Sequence, residues 1–305
     1  MGIDFETREH IAYITINNPE RANVLDRRTS NELSEAWERV WEDRDIRVAI
    51  ITGSGERHFC AGHNLTPRPD VTAEQSEFLR TQRVFWPPAG SVNGARIGAD
   101  GHMGDHYPQI WKPVIAAVNG WAAGAGLYLT LASTDIRLAC AEHARFKFAL
   151  LSQGWVGAGP GATLLARQLR YVDAMRMLLT DEPVDAAEAL RIGLINEVVP
   201  HDDLLTRAET IARQIVGMPP VAVRMMKEFI VRYGDAPFDQ AWGVQHMMNN
   251  MLIHMTTDGE EGRRAFNEKR PPEFTGQLRR HGEPFREPTP EEWARLDEIR
   301  DAEDY

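Results

Sequence analysis

Two uninterrupted apolar runs constrain the fold of this chain more than any other feature. They are residues 48–52 (VAIIT) and 114–118 (VIAAV). A strand with one face in water alternates apolar and polar residues; a run with no polar position reads as a parallel strand covered on both faces. Residues 136–139 form a third run, and 10–17 (HIAYITIN) alternate and are β-branched, so they too read as a strand. Between the strands the spacing becomes helical. In 29–43, Leu33, Ala36, Trp37, Val40 and Trp41 fall on one face, with Ser30 placed to cap the helix. Helical patterns follow over 126–133, 161–169, 172–179, 186–192 and 204–216. Strand and helix repeated in this order predict an α/β fold with right-handed crossovers.

Composition narrows the functional classes. The 305 residues are 43% hydrophobic and 26% charged, too apolar for a disordered chain and long enough for one large or two ordinary domains. Lys and Arg are outnumbered by Asp and Glu, leaving a net charge of -11. A protein that coats nucleic acid or an anionic membrane needs a basic face, so neither partner is expected, although a small anion in a local basic pocket is compatible. No apolar stretch approaches the ~20 residues that cross a bilayer, and the first ten residues lack the apolar core of a signal peptide. With Cys60 and Cys140 alone, no disulfide framework or cysteine-rich zinc site can be built. The expectation is a cytoplasmic globular protein.

A long segment rich in Pro, Gly and His lies between Asn64 and Lys112, with a helical pattern only over 74–84. Loops of this length in compact domains are usually functional or mobile. Residues 218–274 read as helical again, with Met- and Trp-bearing faces suited to packing. Beyond Gly276 a charged tail contains Thr289, Pro290, Glu291, Glu292 and Trp293, which predicts a helix start with Thr as cap and Pro at its first position. Trp293, Leu296 and Ile299 would share a face, so this tail is expected to dock, with a frayed tail as the alternative.

The stretch 119–126 (NGWAAGAG) is the most informative for chemistry. It follows a buried strand and precedes an apolar helix. Its small residues permit close approach of a ligand or backbone, and they place amide N–H groups at a helix N-terminus, where partial positive charge collects. GxGxxG spacing is absent and no Lys-Ser/Thr follows, so it is neither a dinucleotide fingerprint nor a P-loop. A second small-residue turn, 59–65 (FCAGHNL), follows the VAIIT strand. Two such turns at one sheet edge would make a two-donor oxyanion hole; either alone is compatible with simple packing.

From about residue 4 to Gly276 the chain resembles the crotonase, or enoyl-CoA hydratase/isomerase, superfamily. The resemblance rests on Asn18-Pro19 with Ala22-Asn23, on Ile51-Thr52-Gly53 leading into 59–65, and on 112–120 (KPVIAAVNG). It continues through Asp135-Ile136, Leu179-Thr180, 189–200 (ALRIGLINEVVP) and 261–271 (EGRRAFNEKRP). It implies a spiral of β-β-α units over 1–200, a helical oligomerisation region over 201–276 that builds homotrimers or hexamers, and a charged extension over 277–305. It also implies an acyl-CoA thioester as substrate, coenzyme A entering as part of that substrate and no prosthetic group or metal. The two enolate-stabilising N–H groups would be those of His63 and Ala125, the latter where the family usually has Gly. Ala61, His63 and Leu65 would lie along the coenzyme, with Phe266 and Lys269 at positions that often contact it.

The chain departs from the family at the acids. Two glutamates of hydratases correspond to Tyr128 and Leu150, and a third acidic position to Ala158. Adding water to an enoyl thioester needs a base and an acid, each worth roughly 10²–10⁴-fold, so hydration with the usual residues is not expected. Tyr128 can supply a proton or pack in the core. His102, Asp105 and His106 lie where the family's acyl-pocket loop runs and offer acid/base groups; a His-x3-His metal site is disfavoured by Gly104 and the lack of a third ligand. Leu150, Leu151 and Trp155 would make an apolar wall. Such a wall suits decarboxylation or plain binding of a bulky acyl group by a catalytically silent protein, while the resemblance also implies C–C cleavage or double-bond isomerisation as alternative reactions.

Overall fold

The computed structural model describes residues 2–65, 72–75, 77–78, 110–157, 159–279 and 289–302. The N-terminal strands are β1 (Gly2–Arg8) and β2 (Ile11–Asn17), followed by helix α1 (Arg27–Glu42), β3 (Val48–Gly53) and β4 (His58–Cys60). Next come β5 (Val114–Val118), β6 (Trp121–Ala123), α2 (Ala125–Ser133), β7 (Ile136–Cys140) and β8 (Arg145–Lys147). Two helices, α3 (Gly161–Gln168) and α4 (Tyr171–Thr180), lead into β9 (Val184–Asp185), α5 (Ala186–Ile192) and β10 (Glu197–Val199). The remainder is helical: α6 (Leu204–Val216), α7 (Pro220–Tyr233), α8 (Phe238–Met255), α9 (Asp258–Glu268) and α10 (Pro290–Ala302).

The strands form two sheets, β1-β2-β3-β5-β7-β10 and β4-β6-β8-β9. From β3 to β8 the chain alternates between them, strand by strand. Each unit contributes one strand to the large sheet and one to the small sheet, and the units stack in parallel register, as in Ile50 opposite Ile115 and Ala117 opposite Leu138. This is a spiral of β-β-α units. β3 and β5 are buried along their whole length, as their uninterrupted apolar sequences require.

Three features differ from the sequence expectation. β1 pairs antiparallel with β2 through a turn at Glu9 and His10, both with positive φ; in its sequence, GIDFETR, only Ile3 and Phe5 alternate as apolar residues that pack on the core, and, Gly2 aside, the rest of the strand is exposed at the sheet edge. The short strands β4, β6, β8 and β9 that build the second sheet have two or three residues each, below any periodicity. α1 begins earlier than its apolar face indicates. Asp26, not Ser30, is the N-cap, its carboxylate accepting from the Thr29 amide at 3.0 Å. Apolar spacing reports only the buried face, and Arg27 and Arg28 extend the helix on its wet side.

Of the 74–84 helical pattern, residues 74, 75, 77 and 78 are helical and the rest lies outside the described residues. The tail helix α10 starts as predicted: Thr289 and Glu292 exchange bonds, the Thr289 amide donating to Glu292 Oε2 at 2.8 Å and the Glu292 amide to Thr289 Oγ1 at 3.3 Å. Trp293, Leu296 and Ile299 remain about half exposed, so the chain does not bury that face. Among the described residues no helix is long and apolar enough to cross a membrane.

Candidate active site

Two parallel neighbours of the small sheet, β4 and β6, end side by side, with His58 opposite Trp121 and Cys60 opposite Ala122. Beyond β4 the chain enters the 61–65 turn; beyond β6 it enters α2. The first turn is laid along the start of α1. Leu25 N–H donates to the Gly62 carbonyl at 2.8 Å, and Asn64 N–H donates to the Leu25 carbonyl at 3.0 Å. In that pairing the amide of the intervening residue, His63, points away from Leu25, since successive amides of an extended segment alternate in direction.

The second turn passes through Gly124, at φ 53 and ψ -120, a conformation that a side chain would strain. Ala125 is therefore the first residue of α2, and its N–H has no acceptor within the helix. Ala125 is buried, as is nearly all of α2, including Leu127, Leu129 and Leu131. At the other end of this helix the half-buried Arg137 guanidinium donates to the carbonyls of Thr130 (2.8 Å), Leu131 (3.2 Å) and Leu194 (3.1 Å). Burial lowers the Arg137 pKa to about 10, still high enough to keep the cation at neutral pH. The partial charges of α2 are thus answered at its C-terminus, while its positive N-terminal end faces the 61–65 turn.

The two turns touch. A β-carbon built on Gly62, which has φ +91, would lie 3.0 Å from the Ala125 amide nitrogen and 2.8 Å from the Ala123 carbonyl oxygen. Two buried asparagines hold the approach to the first turn. Asn119 accepts from Gly53 N–H (3.0 Å) and donates to the Gly55 carbonyl (2.6 Å). Asn23 donates to the carbonyls of Ser54 (3.0 Å) and His58 (2.7 Å) and accepts from Asn18 N–H (2.9 Å). The sequence did not mark either as a positioning group. For Asn119 a signal was present: a polar residue directly after a buried apolar run needs partners.

Tyr128 lies one turn into α2, buried, with its ring 6.0 Å from that of Phe148. Added β-carbons would collide with it at two glycines: 2.4 Å from its Oη at Gly157, and 1.9 Å from its Cε1 at Gly161, the first residue of α3. Leu150 Cδ1 also lies 2.4 Å from the Gly157 position. Leu150 and the Tyr128 hydroxyl therefore share one wall, the two places where glutamates were expected of a hydratase. Burial, with a further contribution from Asp181, pushes the phenol up to about 12. It stays protonated at neutral pH and can donate a proton but not accept one.

Ala61 is half-buried, and His63 and Leu65 are exposed along the turn. Trp155, whose amide donates to the Leu150 carbonyl at 2.9 Å, is 52% exposed beside the exposed Leu151 and Val156. The structure thus brings the 61–65 turn, with Ala61 and His63, against Ala125 at the start of α2, and separately brings Tyr128 and Leu150 together at Gly157. Phe266 and Lys269 stand exposed at the C-terminal end of α9, which packs on α8. His102, Asp105, His106 and Ala158 lie outside the described residues.

Comparison with known proteins agrees with this geometry. The enoyl-CoA hydratase/isomerase family model matches residues 6–94 and 100–277. The (E)-benzylidenesuccinyl-CoA hydratase of Thauera aromatica is 35% identical over 277 residues, 90% of this chain and 100% of that protein. The carnitinyl-CoA dehydratase of Proteus mirabilis is 34% identical over 281 residues, 90% of this chain and 98% of the relative. Among solved structures, an enoyl-CoA hydratase from Bacillus anthracis superposes with a TM-score of 0.75 at 29% identity, covering 91% of this chain and 100% of the other. An enoyl-CoA hydratase/isomerase from Mycobacterium paratuberculosis gives 0.73 at 32% identity, covering 91% and 99%. Paired turns, alternating sheets and matches across nine-tenths of the length converge on one assignment: this chain belongs to the enoyl-CoA hydratase/isomerase family.

Proposed function

We propose that the protein is an acyl-CoA lyase that stabilises a thioester enolate with the backbone N–H groups of His63 and Ala125. The observation that carries this reading is the contact between the two turns, with Gly62 set against the Ala125 amide at the buried N-terminus of α2. An oxyanion held by such donors away from water gains far more than it would in solution, each donor being worth about 10²–10³ in rate. The Ala61–Leu65 turn would carry the coenzyme portion. Tyr128, protonated at neutral pH, would deliver the proton that quenches the enolate carbon.

Water addition to an enoyl-CoA is the first reaction to test, because relatives of this chain carry the names hydratase and dehydratase. It requires a base for the water that neither Tyr128 nor Leu150 can be, and His102, Asp105 and His106 are the proposed source. A second reading is decarboxylation of a malonyl-type thioester. There carbon dioxide leaves, the electron pair passes to the thioester oxygen, and Tyr128 protonates the enolate carbon, so no base is needed. The apolar Leu150 beside the phenol favours this reading, since it desolvates the departing carboxylate. The helices over 201–276 would assemble trimers or hexamers, a role supported by the exposed Met226, Ile230, Val231, Trp242, Met247 and Met251 on α7 and α8.

The test is incubation with enoyl-, methylmalonyl- and aromatic enoyl-CoA, with mass analysis of products and parallel binding measurements. Gain of water supports the first reading and loss of carbon dioxide the second. Tight binding of every thioester without conversion would instead identify a silent binder and overturn the enzyme reading. With an active substrate in hand, Tyr128→Phe is expected to lower turnover by about 10²-fold or more while sparing coenzyme affinity. Unchanged turnover would remove the phenol from the mechanism.

A further inference from the structure

The segment that carries Leu150 is held by a carboxylate belonging to a different part of the fold. Asp181 ends α4 in the left-handed conformation, at φ 51, and is buried. Its Oδ1 accepts from Ala149 N–H at 2.5 Å; its Oδ2 accepts from Ser152 N–H at 3.0 Å and from Ser152 Oγ at 2.5 Å. Ala149 is itself left-handed, at φ 58. Two non-glycine residues in a costly backbone region are therefore tied together by one carboxylate, and Leu150 sits between its anchor points. Strain of this kind persists only where surrounding bonds over-determine it, and it gathers at functional sites.

Building on the reading of Tyr128 as proton donor, we infer that Asp181 is the positioning residue of the acyl pocket. It fixes the 149–152 turn so that Leu150 meets the Tyr128 hydroxyl at Gly157, and it sets a buried negative charge within electrostatic reach of that phenol. The rest of the surroundings of Tyr128 fits this role. Phe148, Leu150, Gly157 and Gly161 are uncharged, and Lys147, on β8, acts on Asp181 by offsetting part of its charge. Burial opposes the ionised form of Asp181, but the bonds from Ser152 and Ala149 outweigh it and hold the carboxyl below its ordinary range, so the negative charge is present throughout the neutral region. Because like charge disfavours a phenolate, Asp181 helps keep Tyr128 in its protonated form.

The sequence contained little trace of this device. Asp181 lies about thirty residues from the turn it holds, behind two helices, and an aspartate after a helix reads as an ordinary cap.

Asp181→Gly and Asp181→Asn test the assignment together. Glycine relaxes the left-handed backbone, so its fold is not penalised there, but it removes both clamp and charge. Asparagine keeps the shape while turning an N–H donor toward one of the three donors now bonded. Both variants are expected to lose about ten-fold or more in kcat with little change in KM, the pattern of a displaced proton donor. Selectivity among acyl chains should relax as Leu150 loosens. A readout independent of catalysis is ultraviolet titration of tyrosinate, taken as the difference between each protein and its Tyr128→Phe partner. In both Asp181 variants the Tyr128 phenol should ionise at lower pH than in the parent.

Parental kcat, selectivity and Tyr128 ionisation in folded Asp181→Gly would overturn the assignment. If Tyr128→Phe is fully active, the donor reading fails. The Asp181 role is then still decided by selectivity and by the tyrosinate difference, so the two failures are distinguishable.

Discussion

Gly126→Ala is the sharpest test of how the two turns are held together. A β-carbon at Gly126 would lie 2.0 Å from the Cys60 carbonyl oxygen, 2.8 Å from its carbon and 3.0 Å from its Cβ. These are mostly backbone atoms of β4, at the root of the 61–65 turn, so no rotamer change can relieve the clash. Ordinary contact distances are restored only if α2 and β4 separate by well over ~1 Å, and overpacking of this kind typically costs ~1–3 kcal/mol. The same displacement acts on the gap between the His63 and Ala125 amides. A misplacement of about 1 Å in a reacting array can lower the rate by ~10²-fold.

The proper control is Gly193→Ala, at the C-terminus of α5, where the φ of +80 strains alanine but nothing lies within 4 Å of the added methyl. That substitution should cost ~1–2 kcal/mol from its left-handed backbone alone. Urea denaturation and turnover would be measured on both. We expect comparable stability losses, with turnover collapsing only in Gly126→Ala while the protein remains folded. Parental turnover in folded Gly126→Ala, or an equal fall in both variants, would refute the argument that the β4–α2 contact sets the donor pair.

Other predictions concern the scaffold. Asp26→Ala removes the cap of α1 and should cost about 1 kcal/mol by chemical denaturation. The Thr29 amide, with smaller help from the Thr29 hydroxyl and Arg21, holds the Asp26 carboxyl below its ordinary value against the opposing effect of burial. Its contribution is therefore complete above the unfolded pKa and fades as pH falls through the folded one; the variant should show a shallower acid limb in a stability–pH profile. Glu261, on α9, accepts from Arg270 at 2.6 and 3.0 Å, from the Glu273 amide at 2.9 Å and from Arg264, bonds that together hold it far below the usual carboxylate range. Glu261→Gln should flatten the acid dependence in the same direction and should loosen residues 270–275, read as faster amide hydrogen exchange there.

The uninterrupted runs in β3 and β5, the alternation in β2 and the amphipathic face of α1 are statements about water, and one residue type after another makes them. Whether a position is wet or dry follows from local pattern, so the α/β class, the buried strands and the two small-residue turns were legible in the chain itself. The chain itself also raised the expectation that Tyr128 and Leu150 stand where hydratases carry glutamates. Tertiary structure alone decided what depends on residues distant in sequence. The small sheet exists because two- and three-residue strands find partners tens of residues away, a gain invisible to any local window. That Gly62 rests against the Ala125 amide, that Gly157 and Gly161 make room for one tyrosine ring, and that Asp181 holds the turn carrying Leu150 are facts of close approach. A hydrogen bond or a van der Waals contact reaches only a few ångströms and carries no mark in the sequence of which distant segment will supply its other half.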